Sequence, residues 1–188
     1  MRGLTLIELL VALAIVAILA TLAGPSFVRL LKSNAMAGAV NTFMADTRYA
    51  RSEAVRRGAR VIMCRSDDPE AASPACAADA DSAGRGWATG WIIFLDQNNS
   101  GERDDGDVVL RVQAANPSMD VISDETTDAP KKFTFTANGR LLDLTQKARM
   151  EFGGVGFDDS LKRVVCVSAG GRARVAGNGT AECAENDE

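Results

Sequence analysis

Leu4 to Ala23 reads LTLIELLVALAIVAILATLA, and every residue in it except Thr5, Glu8 and Thr21 is hydrophobic. At 1.5 Å per residue a helix of this length reaches about 30 Å, the thickness of a hydrocarbon core, so the segment is a membrane-span candidate. A secretory signal peptide is the rival reading. Its apolar region is shorter and follows a basic stretch, whereas here only Met1, Arg2 and Gly3 precede the run. Arg29 and Lys32 on one side against Arg2 and the amine on the other leave the orientation open.

Beyond Pro25 the apolar or small residues Met36, Val40, Phe43, Thr47, Ala50 and Ala54 recur in steps of four and three, the stripe of a helix facing a core. Asn34, Asn41, Arg48 and Arg51 occupy the other side, and Gly58 after Arg56 and Arg57 is a helix-ending glycine behind cations that suit the helix dipole. The pattern predicts one long helix, kinked near Gly24 and Pro25 and ending near Arg57. Arginines on a helical face are usually just solvated, and that reading is favoured here over a polyphosphate patch.

From Ala59 the period shortens. Strands are predicted over Arg60 to Arg65, Trp87 to Leu95, Val108 to Gln113, Lys132 to Ala137, Arg149 to Phe152, Arg163 to Ser168 and Arg172 to Val175. Asn138-Gly139 between Phe133-Thr134-Phe135 and Leu141-Leu142 reads as a two-residue hairpin turn. Ser66 to Gly86 and Asn116 to Pro130 read as long polar loops, and Ala176 to Glu188 as an acidic tail. The fold class is α+β: a long N-terminal helix, membrane-embedded in its first half, packed on an antiparallel sheet.

Composition narrows the chemistry. The chain has 188 residues, 21 Lys plus Arg against 25 Asp plus Glu, a net charge of -4 and no histidine. An acidic balance excludes a general polycation, so any nucleic-acid site must be local. Without imidazole, Ser-His-Asp and Cys-His nucleophiles and His-containing zinc sites are excluded. Asp104, Asp105, Asp158 and Asp159 are scattered acids with nothing to pair them with a nucleophile, so the chain reads as a non-enzyme, and nothing in it calls for a cofactor. Glu8 is the anomaly of the apolar run. A carboxylate within a membrane helix costs about 2.5 to 3.5 kcal/mol and asks for a cation, unless it lies near enough to the helix end to be solvated.

Gly3-Leu4-Thr5-Leu6-Ile7-Glu8-Leu9 resembles the processing motif of type IV prepilins, and Pro25 after Gly24 falls where pilins carry a helix-kinking proline. With the downstream domain, the whole chain resembles the GspH/FimT family of minor pilins and pseudopilins. That resemblance implies a leader at 1–3, a transmembrane segment at 4–23, an amphipathic helix at 24–57 and a periplasmic β-rich domain at 58–188. It implies cleavage between Gly3 and Leu4 by prepilin peptidase, N-methylation of Leu4, and a Glu8 that neutralises the equivalent amine of a neighbouring subunit. Leu4 stands where the family usually has Phe, and the leader is short. The implied partners are other major and minor pilins or pseudopilins and the inner-membrane assembly platform. The implied role is a filament subunit at or near the tip of a type IV pilus or type II secretion pseudopilus.

Cys64, Cys76, Cys166 and Cys183 allow three complete pairings, and their wide spacing does not resemble a zinc ribbon. Disulfides suit an exported domain, and the local pairing of Cys64 with Cys76 and Cys166 with Cys183 would tie a loop or tail to a strand. Similar pairings are familiar from the family, and the sequence leaves the connectivity open. Asp96, Asn98, Ser100, Asp104 and Asp107 fall at positions 1, 3, 5, 9 and 12 of a twelve-residue loop with Gly101 at 6, as in a calcium loop. The flanks look like strands and the last ligand is Asp, so a solvated β-turn is the favoured reading and no metal is expected. Gly171-Arg172-Ala173-Arg174 resembles the DNA-binding motif of the FimT branch. In a strand Arg172 and Arg174 share a face about 7 Å apart, a spacing suited to successive phosphates, and Lys162 and Arg163 could extend the patch. Capture of double-stranded DNA is therefore the alternative function, set against a solubilising strand edge.

Overall fold

The computed structural model describes residues 5–77, 84–124, 132–142 and 147–183. It comprises two compact units, Met1–Asn34 and Ala35–Glu188. The sole helix among the described residues other than a 3-10 turn, α1, spans Leu6–Arg57 and is helical through Gly24 and Pro25. Residues 35–57 belong to the sheet-bearing unit because their stripe is part of its core: Met36, Val40, Phe43, Thr47, Ala50 and Ala54 are all buried. Arg56, Arg57 and Gly58 close the helix as expected. Gly58 takes φ 61° and Ala59 N–H donates to the Ala54 carbonyl, the hydrogen bond a left-handed cap provides.

Among the described residues eight strands follow, in two antiparallel sheets. The first sheet has the order β3-β2-β1-β5, with β1 at Arg60–Arg65, β2 at Trp91–Asp96, β3 at Val108–Gln113 and β5 at Lys132–Phe135. The second has the order β4-β6-β7-β8, with β4 at Val121–Asp124, β6 at Ala148–Gly153, β7 at Arg163–Val167 and β8 at Ala173–Gly177. Their inner faces and the helix share one core, in which Val61 and Met63 of β1, Ile93 of β2, Met150 and Phe152 of β6 and Val165 and Val167 of β7 are buried.

Four sequence expectations change. Trp87–Thr89 is a 3-10 turn and not the start of a strand, because Gly86 (φ 56°) and Gly90 (φ 109°) take backbone angles that break extension on both sides. The polar segment after Asn116 contains β4, whose Ile122 is buried and pairs opposite Phe152. The hairpin after β5 has a longer turn: Gly139 N–H donates to the Thr136 carbonyl and Thr136 N–H to that of Arg140, with Gly139 left-handed at φ 76°. The last strand begins at Ala173, so Arg172 lies in the preceding turn, and Ala176 and Gly177 of the expected tail are strand.

Both sheets are also covered on the outside. Ile62, Cys64, Ile92 and Phe94 point away from the main core into a second small cluster against Cys76, which is bonded to Cys64. On the second sheet Cys166 is bonded to Cys183, and Arg149, opposite Cys166, donates to the carbonyls of Gly179 and Ala181. Each disulfide thus holds a segment with little regular structure over a sheet face, closing loops for which a chain-entropy argument gives about 3 kcal/mol apiece.

Asp46 sits on the buried helical stripe. It accepts from Trp91 Nε1 at 2.9 Å and from Arg111 Nη1 at 2.6 Å, while the Arg111 guanidinium lies 4.0 Å over the Tyr49 ring. A buried carboxylate is tolerated there because two donors from the first sheet meet it.

Candidate functional site

Two regions carry chemistry beyond packing. The first is the N-terminal end of α1. Its most apolar 18-residue window has a mean hydropathy of 2.8, and none of that window is buried within the protein. Gly3 and Leu4 lie outside the described residues. Thr5 and Glu8 form a capping box: Glu8 N–H donates to Thr5 Oγ1 and Thr5 N–H donates to Glu8 Oε2, each at 3.4 Å. Thr-x-x-Glu ahead of an apolar run is the signal for this, and reading Glu8 only as a charge overlooks it. The carboxylate thus has a local use at the helix start and remains exposed.

The second region is a groove of about 660 Å³ between the C-terminal half of α1 and the turn that leads into β8, lined by Arg48, Arg51, Val55, Arg56, Arg172 and Ala173 among others. Arg48, Arg51 and Val55 are one or two turns apart on the helix, and Arg172 comes to them because two glycine turns pack against Arg51. Arg51 Nε donates to the Gly139 carbonyl at 3.1 Å. A Cβ on Gly171, which has φ +74°, would lie 2.3 Å from that same carbonyl oxygen, so the glycine of the Gly-Arg-Ala-Arg segment is required by close approach. The solvated-face reading of Arg48 and Arg51 is therefore incomplete: they face a cation from more than a hundred residues away in the chain.

The arginines of the groove are not equivalent. Glu53, with its side chain only 11% exposed, accepts from Arg56 and Arg57 at 2.6 to 3.0 Å. The Arg56 and then the Arg57 hydrogen bonds hold its carboxyl at about 2, far below the ordinary 4.5, and Glu53 in turn raises the Arg56 guanidinium. Among the described residues Arg48 and Arg172 have no ion-pair partner and are exposed. The depressed Glu53 value means stability that is complete above about pH 4.5 and lost as the pH falls towards 2. Since the Arg56 side chain is 63% exposed, solvent screening weakens this contribution. In unfolding titrations the parent should lose its advantage over Glu53→Gln across that window, and parallel pH profiles for the two proteins would disprove the assignment.

The four cations expected to form one basic patch are separated. Arg174 is opposite Cys166 on the outer, disulfide-bearing face of the second sheet, and its Nε is buried. Lys162 lies at the other end of the β7–β8 hairpin from Arg172 and pairs with Asp159 at 3.1 Å and Glu151 at 3.3 Å, which raise its ammonium in that order. Arg163 Nη1 donates to the carbonyls of Ser160 and Lys162. Only Arg172 joins the groove.

The Asp96 to Asp107 loop spends its oxygens on its own donors. Asp96 accepts from Ser100 N–H and Gly101 N–H, Asp107 from Gln97 N–H and Asp104 N–H, and Asp104 from Asn98 Nδ2 and Ser100 Oγ. The Ser100 and then the Asn98 hydrogen bonds lower the Asp104 carboxyl. The carboxylates of this loop are thus engaged by its own N–H and O–H donors, and no group of three or more acids or cysteines suited to a metal occurs among the described residues.

A family model described as type II transport protein GspH matches residues 39–171, and one described as a prokaryotic N-terminal methylation motif matches residues 1–24. The chain belongs to the GspH family. No curated protein matches it. Among solved structures this GspH-family chain is similar to the type IV minor pilin FimU of Pseudomonas aeruginosa PAO1 in two crystal forms. The P21 form gives a TM-score of 0.55 at 21% identity over 79% of this chain and 95% of that one; the P65 form gives 0.52 at 22% over 77% and 97%. At these identities the likeness establishes the fold, a long N-terminal helix on antiparallel sheets as in type IV pilins. Family and fold are those of a structural subunit of the pilin and pseudopilin kind.

Proposed function

We propose that the protein is a minor pilin or pseudopilin, held in the bacterial inner membrane by residues 4–23 with its β-rich domain in the periplasm, and assembled with other pilins at or near the filament tip. The observation that carries this is the first: an apolar helix none of whose most hydrophobic window the chain itself buries, headed by the methylation motif. Such a surface requires lipid before assembly and neighbouring apolar helices after it. Prepilin peptidase would cut between Gly3 and Leu4 and methylate Leu4, Gly24 and Pro25 would supply a flexible point in the helix, and the inner-membrane assembly platform would extract the subunit. Oxidising export suits the two disulfides.

The test is mass spectrometry of the chain recovered from cells with and without prepilin peptidase, together with its yield in sheared filaments. Loss of Met1 to Gly3 and a methyl on Leu4, only with the peptidase, is the expected result. An intact Met1 in peptidase-positive cells would overturn the reading. Deletion that abolishes twitching assigns the pilus, and deletion that abolishes exoprotein release assigns type II secretion.

A second reading, capture of double-stranded DNA by a FimT-like motif, draws support from the exposure of Arg172. It requires duplex binding that weakens steeply with salt and is lost in the Arg172→Ala, Arg174→Ala double variant.

A further inference from the structure

The groove beside α1 joins two chemistries. Arg48 and Arg172 offer exposed guanidinium groups with no ion-pair partner among the described residues, and Arg51, whose Nε donates to the Gly139 carbonyl, lines the same groove. The half-exposed Val55 and the partly buried Ala173 add apolar surface to the same groove. A protein with a net charge of -4 thus concentrates cations around an apolar surface at one place.

We propose that this groove docks an acidic peptide segment, one carrying carboxylates interleaved with aliphatic side chains, on a neighbouring subunit. This inference rests on the filament reading for its partner and on the groove alone for its chemistry. Guanidinium forks take carboxylates in bidentate pairs, and these pairs strengthen where apolar neighbours exclude water. The volume of about 660 Å³ falls within the range of roughly 300 to 1,000 Å³ that encloses a compact ligand. A nucleic-acid backbone presents an even row of phosphates, which calls for a line of cations. Here Arg174 and Lys162, which would extend such a line from Arg172, are respectively on the outer sheet face and paired with acids. Arg56 borders the groove but is already committed to Glu53, so it sets the edge of the site and does not supply its free charge.

The experiment uses the full chain in a non-ionic detergent and a short fluorescein-labelled peptide of alternating Glu and Val, read by fluorescence anisotropy. The same peptide with Gln for Glu and a labelled DNA duplex serve as comparisons. The Glu peptide is expected to bind, and to lose about ten-fold or more in affinity both on Gln replacement and in the Arg48→Ala, Arg172→Ala double variant. Arg174→Ala, outside the groove, should leave that affinity unchanged. The double variant removes exposed side chains, and an unchanged thermal melt verifies its fold. No binding, or binding indifferent to the double variant, overturns the proposal. Preferential binding of the duplex through the same arginines overturns it in favour of a nucleic-acid site. None of these outcomes bears on Leu4 methylation or filament recovery, so failure here is distinct from failure of the filament reading.

Discussion

Replacing Phe43 by Ala should cost the sheet-bearing unit about 3 to 5 kcal/mol, the range for removing a fully buried aromatic side chain. The ring is fully buried and meets four others edge-on: Trp87 at 5.9 Å, Trp91 at 5.8 Å, Phe133 at 6.1 Å and Phe152 at 5.5 Å. Trp91 and Phe133 belong to the first sheet and Phe152 to the second, so one helical side chain packs against both sheets. Losing it removes transfer free energy, leaves a cavity with rigid aromatic walls that cannot close, and forfeits edge-to-face contacts worth about 0.5 to 1.5 kcal/mol each at most. Against a typical total of about 5 to 15 kcal/mol this is about a fifth of the stability at least. Both tryptophans touch or neighbour the site, so their fluorescence in a denaturant titration reports it directly. Phe43→Leu, which keeps most of the volume, should cost less than half as much. A loss below about 1 kcal/mol for Phe43→Ala would show that the two sheets are not joined through this ring.

How much of this could be read from the sequence depended on whether the determining contacts were local. The helix stripe from Met36 to Ala54 was legible because its period needs only the helix itself. Asp46 and Glu53 lie on or beside that stripe and break its apolar pattern. The donors that make Asp46 tolerable, Trp91 and Arg111, come from strands that periodicity cannot place against the helix. For Glu53 the partners are local, Arg56 and Arg57 at spacings of three and four, and this signal was available in the sequence. β4 was hidden because Val121-Ile122-Ser123-Asp124 has too few apolar residues to stand out in a polar stretch, and its strand character comes from pairing with β6.

The sites show the same division. Five oxygen-bearing residues stand in calcium-loop order between Asp96 and Asp107, but nothing in that spacing reveals that Asp96 and Asp107 accept from backbone amides of the loop. The Gly-Arg-Ala-Arg segment suggested two arginines on one strand face. A strand that begins only at Ala173, after a left-handed Gly171, sends Arg172 to the helix and leaves Arg174 beside the Cys166–Cys183 bridge. The glycine, the least conspicuous residue of the motif in a charge-based reading, is the one that positions it.

Glu8→Leu should leave membrane insertion intact or improved and yet reduce recovery of the subunit in filaments about thirty-fold or more. The first half of the argument is solvation: removing a carboxylate from an apolar helix relieves a cost of about 2.5 to 3.5 kcal/mol at the bilayer centre, and less near the helix end where Glu8 lies. The second half is pairing. If Glu8 meets the methylated amine of Leu4 on a neighbouring subunit, truncation leaves that amine without its counter-charge among apolar helices, a loss of about 2 to 5 kcal/mol, and about 1.4 kcal/mol is ten-fold. The capping box supplies a rival explanation, since Glu8→Leu also removes the acceptor for Thr5 N–H. Glu8→Gln separates the two. Gln retains a side-chain acceptor for the cap and loses only the charge. Under the pairing model it fails in assembly nearly as badly as Leu, with both variants cleaved normally after Gly3. Filament recovery restored by Gln would mean that Glu8 serves the start of its own helix, and the proposed amine contact would have to be given up.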